Sequence, residues 1–170
     1  MKEGKMEIRL AGVVTESITD GPGIRYTVFT QGCPHGCPGC HNPQTHDFQA
    51  GSLRTVDDIF EEFRRNPMLK GITFSGGEPF CQPAALAELA VRVHAAGRDV
   101  VAYSGWTYEE LTAMRNAGIQ RLLDETDLLV DGKFILARKN LELLFRGSEN
   151  QRIIDMKKTR EAGKIVLFAE

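Results

Sequence analysis

Gly71–Trp106, GITFSGGEPFCQPAALAELAVRVHAAGRDVVAYSGW, holds one complete repeat of the architecture. Gly71–Ser75 is a short β-branched and aromatic run, read as a strand. Gly76-Gly77-Glu78-Pro79 is the loop that follows it. Pro83 suits the first turn of a helix that carries Leu86, Leu89, Ala90 and Val93 at helical spacing and that Gly97 ends. Asp99–Tyr103 is the next strand, and Ser104-Gly105-Trp106 leaves it. A strand, a covering helix and a second strand imply parallel pairing through a right-handed crossover.

The same alternation extends in both directions. Upstream, Thr55 and Asp58 make a capping-box-like start for a helix carrying Val56, Ile59, Phe60 and Phe63, stopped by Asn66-Pro67. Earlier still, Ile8–Val14 and Ile24–Gln31 read as strands around the turn Thr19–Gly23, whereas Gly32–Ser52 shows no regular element. Downstream, Thr107 and Glu110 cap a helix with Leu111 and Met114 inward and Gly118 at its end. Asp127–Val130 is a further strand, ending in Asp131-Gly132-Lys133. Beyond it the pattern weakens until Lys164–Phe168, which reads as a last strand. The class is therefore α/β with a mainly parallel sheet. A closed eight-stranded barrel takes ~250 residues, so 170 residues should form an open, partial (β/α) barrel, a single domain over 1–170. Its site should lie at the C-terminal strand ends.

The chemistry is concentrated just after the second strand, in Gln31–Asn42, QGCPHGCPGCHN. Pro34, Gly36, Pro38 and Gly39 exclude helix and central strand, so the backbone curls. Cys33, Cys37 and Cys40, spaced C-x3-C-x2-C, can then face one centre. Thiolates select zinc, Cu(I) or iron–sulfur clusters. A closed zinc site would need a fourth ligand, for which His35, His41, His46 or Cys81 are available. A disulfide would strand one cysteine of the trio. A four-iron cube held by three cysteines would leave one iron open to a small molecule. Spacing alone leaves cluster and zinc both standing.

Composition bounds the partners. Hydrophobic residues make up 42% and charged residues 26%, with a formal net charge of −2, so the chain reads as an ordinary soluble domain. No basic block invites nucleic acid and no apolar run spans a bilayer. The first ten residues have no apolar signal region, so the expected location is cytoplasmic.

C-x3-C-x2-C followed by His41 resembles the radical S-adenosylmethionine (SAM) enzymes, and Gly76-Gly77-Glu78 stands where that family places its SAM-binding turn. DGPGIRYTVFTQGCPHGCPGCHNP (from Asp20) resembles the activases of glycyl radical enzymes. VAYSGWTYEEL, LLVDGKF and FRGSENQRIIDMKK are similar to the activases serving anaerobic ribonucleotide reductase. The resemblance implies a fold of the radical SAM type and two cofactors, a [4Fe-4S] cluster on Cys33, Cys37 and Cys40 and SAM on its open iron. Reductive cleavage of SAM would give a 5′-deoxyadenosyl radical that removes a hydrogen from a glycine of the partner. The implied cofactor-binding residues are Gly39, His41, Asn42, Gly76, Gly77, Glu78 and Ser104, with Glu78 pairing with the SAM ammonium and His41 and Asn42 touching adenine. Asp131 and Lys133 match a cation- or SAM-contacting pair, or else an ordinary solvated turn. The implied partner is the catalytic subunit of anaerobic ribonucleotide reductase, a glycyl radical protein, served by a low-potential electron donor such as reduced flavodoxin. Alternatives are another glycyl radical enzyme of the pyruvate formate-lyase type or, in a different class, a non-catalytic zinc-binding module. Arg146 and Arg152 are candidates to dock the partner, or to tie down irregular backbone. Cys81 is expected to be a buried free cysteine, His94 a surface or half-buried residue, and Trp106 a residue at the mouth of the site or the anchor of a loop.

Overall fold

The computed structural model describes residues 6–169. Seven strands form one open sheet: β1 (Glu7–Ser17), β2 (Arg25–Thr30), β3 (Ser52–Thr55), β4 (Gly71–Gly76), β5 (Asp99–Ser104), β6 (Leu128–Asp131) and β7 (Arg152–Asp155), in the order β3-β1-β2-β4-β5-β6-β7. The parallel character is confined to the middle. β2–β4, β4–β5 and β5–β6 pair parallel, whereas β3, β1 and β7 are antiparallel to their neighbours. That is less parallel than the sequence suggested, because β2 turns back on β1 and β7 on β6, and β3 returns to β1 through the cysteine loop, none of them through a covering helix.

Five helices accompany the sheet: α1 (Val56–Arg64), α2 (Pro83–Ala95), α3 (Tyr108–Ala113), α4 (Ala117–Asp124) and α5 (Met156–Ala162). Their starts follow the sequence closely. The Thr55 side chain accepts from the Asp58 amide, and Thr107 and Glu110 complete a reciprocal capping box. All five helices place apolar residues in one cluster, with Tyr26, Val28, Ile72, Phe74, Ala102 and Leu129 from the strands. The alternate strand residues face the other way, where Val101, Val130 and Ile153 pack with Tyr103, Phe145 and Phe168. One face of the sheet is thus covered by helices, and the other is left to loops.

Three further expectations fail. Gly118 does not close the helix begun at Thr107. That helix ends at Ala113, Arg115 turns at φ 49°, and Asn116 starts α4 by accepting from the Ile119 amide. Met114, expected inward, is exposed. Lys164–Phe168 is not a regular strand; the edge strand is β7. The tail only runs beside it, through Asp155 N–H to the Val166 carbonyl at 2.9 Å and Phe168 N–H to the Ile153 carbonyl at 2.8 Å. No helix among the described residues is long and apolar enough to cross a membrane.

Candidate active site and metal centre

Parallel strands bring their C-terminal ends to one rim, and there β2, β4 and β5 open into a cavity of about 350 Å³. Cys33, Cys37 and Cys40 all line it, each half-buried and free of disulfides. The loop that presents them is closed on itself. Gly32 N–H bonds the Thr45 carbonyl at 2.7 Å, Cys33 N–H the His46 carbonyl at 3.2 Å, and the Gln31 side chain donates to the carbonyls of Gln44 and Asp47. Burial pushes the Cys33 thiol pKa up, the His35 backbone N–H pulls it down, and the negative charges of Glu78, Cys37 and Cys40 raise it again. A bound cation would reverse this and deprotonate the thiols outright. As they stand, no three His, Cys, Asp or Glu side chains among the described residues converge closely enough to hold a single metal ion. Three soft donors round one cavity are nevertheless the donor set that iron–sulfur clusters use.

His41, Asn42, Gly76, Gly77 and Ser104 line the same cavity. The His41 ring lies 5.1 Å from that of Phe134. Gly39 sits just outside, under Leu136. The two glycines of the turn serve the protein's own backbone as much as a ligand. A Cβ on Gly76 would stand 2.4 Å from the Thr30 nitrogen, and one on Gly77 would stand 2.4 Å from the Gly32 carbonyl oxygen. They let the turn press against the root of the cysteine loop, where Gly77 N–H bonds the Thr30 carbonyl and Glu78 N–H the Gly32 carbonyl, both at 2.8 Å.

Glu78 lies behind that turn, fully buried, and is not among the cavity-lining residues. Its Oε1 accepts from Ser104 Oγ at 3.0 Å and Gly105 N–H at 2.8 Å, and contacts His35 Nε2 at 2.6 Å; its Oε2 accepts from Phe80 N–H at 2.9 Å. Asp131 is not among the cavity-lining residues. Its buried carboxylate takes a two-pronged bond from Arg152, at 3.0 and 2.5 Å, and caps the start of α3 through Tyr108 N–H. Lys133 is exposed and only the intervening Gly132 reaches the cavity. Arg152 also grips Glu109 at 2.6 Å. Arg146 lines the cavity.

Sequence reading missed several lining residues. Asp20 looked like mere turn chemistry, yet it lines the cavity with Tyr103, its Oδ2 accepting from Ser17 at 2.6 Å and Thr27 at 3.2 Å. Burial first, and then the Asp20 charge, raise the Tyr103 pKa. Arg25 pins the turn from beneath, bonding the Pro22 carbonyl, the Thr73 hydroxyl and the Ile72 carbonyl. The irregular stretch 132–151 folds over the other side. Gln151 braces it, accepting from the amides of Gly147 and Ser148 and donating to the Gly132 carbonyl. Cys81, expected to be buried, is exposed.

Residues 19–154 match the family described as a 4Fe-4S single cluster domain. The chain is 38% identical over 143 residues to the anaerobic ribonucleoside-triphosphate reductase-activating protein of Salmonella typhimurium, covering 79% of this chain and 90% of that one. The chain belongs to the radical SAM activating-protein family. Its cofactors are accordingly a [4Fe-4S] cluster and SAM. Among relatives of this family, the pyruvate formate-lyase-activating enzyme of Listeria monocytogenes is 36% identical over 154 residues, 86% of this chain and 61% of that one. The crystal structure of QueE from Escherichia coli aligns with a TM-score of 0.48 at 17% identity over 59% of this chain and 54% of the other, a likeness too slight to build on.

Proposed function

We propose that this protein activates the catalytic subunit of anaerobic ribonucleotide reductase by installing a radical on one of its glycines. The observation that carries the reading is that three thiols, the Gly76–Gly77 turn and Asp20 line one cavity. Cys33, Cys37 and Cys40 would hold the [4Fe-4S] cluster. When bound, the reduced cluster supplies the electron that cleaves SAM and thereby the power to abstract hydrogen. The remaining work belongs to the chain's own residues.

Gly76 and Gly77 offer bare backbone to SAM, with Gly39 and Ser104 beside them. His41 and Asn42, with Phe134 against the His41 ring, form the surface suited to adenine. Glu78 supplies negative charge from behind the turn, and Asp131 and Lys133 frame the loop that brings Gly132 to the cavity. Asp20 keeps its Oδ2 on Ser17 and Thr27, so its Oδ1 is the oxygen available to an incoming peptide N–H. Arg146, which lines the same cavity, suits a polar contact with the same segment. The open sheet, helices on one face and cavity on the other, supports a single domain of partial (β/α)-barrel type over residues 1–170. A cytoplasmic location and a donor such as reduced flavodoxin fit cluster chemistry in a reducing compartment.

The Listeria relative keeps a second partner in view, a glycyl radical enzyme of the pyruvate formate-lyase type. The test is anaerobic reconstitution followed by two assays. Alone, the reduced protein should release 5′-deoxyadenosine slowly from SAM. With the reductase subunit, a glycyl doublet should appear by electron paramagnetic resonance. A doublet on a pyruvate formate-lyase and none on the reductase would replace the partner, and no 5′-deoxyadenosine at all would sink the chemistry.

A further inference from the structure

The arc Pro34–Gly39 carries Cys37 yet has little backbone anchorage. Among the described residues, the hydrogen bonds that close the cysteine loop on the body leave from Gly32 and Cys33 before the arc, and the one at its far end, Cys40 N–H to the Cys37 carbonyl, stays within the loop. What reaches inward from the arc is the His35 side chain. Its imidazole is 5% exposed, its Nε2 lies 2.6 Å from the fully buried Oε1 of Glu78, and the Trp106 ring meets it edge-on at 4.7 Å. Gly105 leaves the room for it, since a Cβ there would stand 2.4 Å from His35 Cδ2. The acceptor is itself fixed by Ser104 Oγ, Gly105 N–H and Phe80 N–H. His35 lines the cavity and Glu78 does not, so the ring stands as a bridge between the carboxylate and the site.

We propose that His35 is the positioning residue of the cysteine loop. Donating from Nε2–H to Glu78, it fixes where the arc lies and so where Cys33 and Cys37, each two residues away, hold their irons. Glu78 thereby acts on the cluster through His35, in addition to any part it has in binding SAM. The inference rests on reading the three cysteines as cluster ligands. The chemistry favours a bond of this kind. An ionised acceptor buried with its donor is shielded from water and holds a ring in one orientation and one tautomer. Groups that orient metal ligands in this way typically change metal affinity by about 10–100-fold when removed.

Two substitutions separate the bond from the ring. His35→Phe keeps an aromatic ring against Trp106 and loses the N–H, whereas His35→Gln loses the ring and keeps an N–H within reach of Glu78. The full chain is reconstituted anaerobically with iron and sulfide, and two properties are read: the rate at which an iron chelator strips the cluster, and the electron paramagnetic resonance spectrum of the reduced cluster. His35→Phe should release iron about 10-fold faster or more with a shifted spectrum, and His35→Gln should recover most of both. Urea unfolding of the metal-free variants controls for loss of fold; if His35→Phe unfolds early, the smaller His35→Leu takes its place. A wild-type release rate and spectrum in His35→Phe would overturn the proposal. So would a folded His35→Gln as leaky as His35→Phe, because packing and not the hydrogen bond would then be the anchor. Failure of the wild type itself to hold a four-iron cluster would instead overturn the cluster reading, and a sound cluster without a glycyl radical would leave this inference standing while the partner fell.

Discussion

Gly77→Ala isolates the fit between the Gly76–Glu78 turn and the cysteine loop. Gly77 is not among the glycines with positive φ, so an added methyl meets a steric penalty and not a backbone one. Its Cβ would stand 2.4 Å from the Gly32 carbonyl oxygen and 2.9 Å from that of Thr45, both backbone atoms. The contact must open to roughly 3 Å or more, and the Gly32 oxygen is also the one that accepts from Glu78 N–H at 2.8 Å. Overpacking of this kind costs about 1–3 kcal/mol and a weakened hydrogen bond about 1 kcal/mol. Stiffening the unfolded chain returns about 0.4–1 kcal/mol. The net loss should be about 1–4 kcal/mol, or several degrees in Tm at this chain length. Gly12→Ala is the control, with nothing within 4 Å of its Cβ and no positive φ. Anaerobic thermal unfolding of the metal-free proteins measures both. A Gly77→Ala variant that melts with the wild type, or one matched by Gly12→Ala, would refute the reasoning.

Three further outcomes are expected. His94 bonds Asp127 and Glu125, and with the Asp127 contact the largest cause its pKa is raised from 6.5 to about 9, while the Asp127 pKa is lowered. A raised folded pKa stabilises fully below the unfolded value and is lost as pH climbs through the folded one. The gap in urea midpoint between wild type and His94→Leu should therefore be wide at pH 6 and shrink towards pH 10; a gap that grows with pH would reverse the assignment. Arg152→Met strands the buried Asp131 carboxylate, so it should cost about 3–5 kcal/mol in chemical denaturation, and a loss below about 1 kcal/mol, the scale of a surface pair, would mean that the bond is ornamental. Cys33→Ala, Cys37→Ala and Cys40→Ala should each lose the redox-active cluster by iron and sulfide analysis while Cys81→Ala keeps it, and cluster loss in Cys81→Ala would point to a four-cysteine site.

What could be read in the chain was local. The cysteine spacing, the Gly-Gly-Glu turn and the caps at Thr55 and Thr107 announce themselves within a few residues; the caps form as expected, and the three cysteines, Gly76 and Gly77 line one cavity while Glu78 lies behind it. What could not be read depends on distant partners. β7 is four residues long and exists because β6 lies beside it, whereas the more apolar Lys164–Phe168 finds no such place. The break between α3 and α4 has no proline; Asn116 as a helix start was the signal passed over. His35 and Glu78 meet across 43 residues of sequence, and no spacing rule foretells it. The bond of Asp131 to Arg152 on the neighbouring strand likewise spans residues that no local pattern links.

The last strand raises a question of colloidal behaviour. β7 closes the sheet on one side, and an uncovered strand there would offer bare amides and carbonyls to any second sheet edge. The stretch 166–168 spends its own backbone on that strand at two points, which together bridge Leu167 to Ile154, while Phe168 folds under the sheet. It is too irregular to be a strand, and that irregularity is useful, since a bent cover cannot itself serve as a template for the next copy. Residues 166–168 thus leave fewer of the β7 backbone groups open to a second sheet edge, a matter of solubility quite separate from radical chemistry.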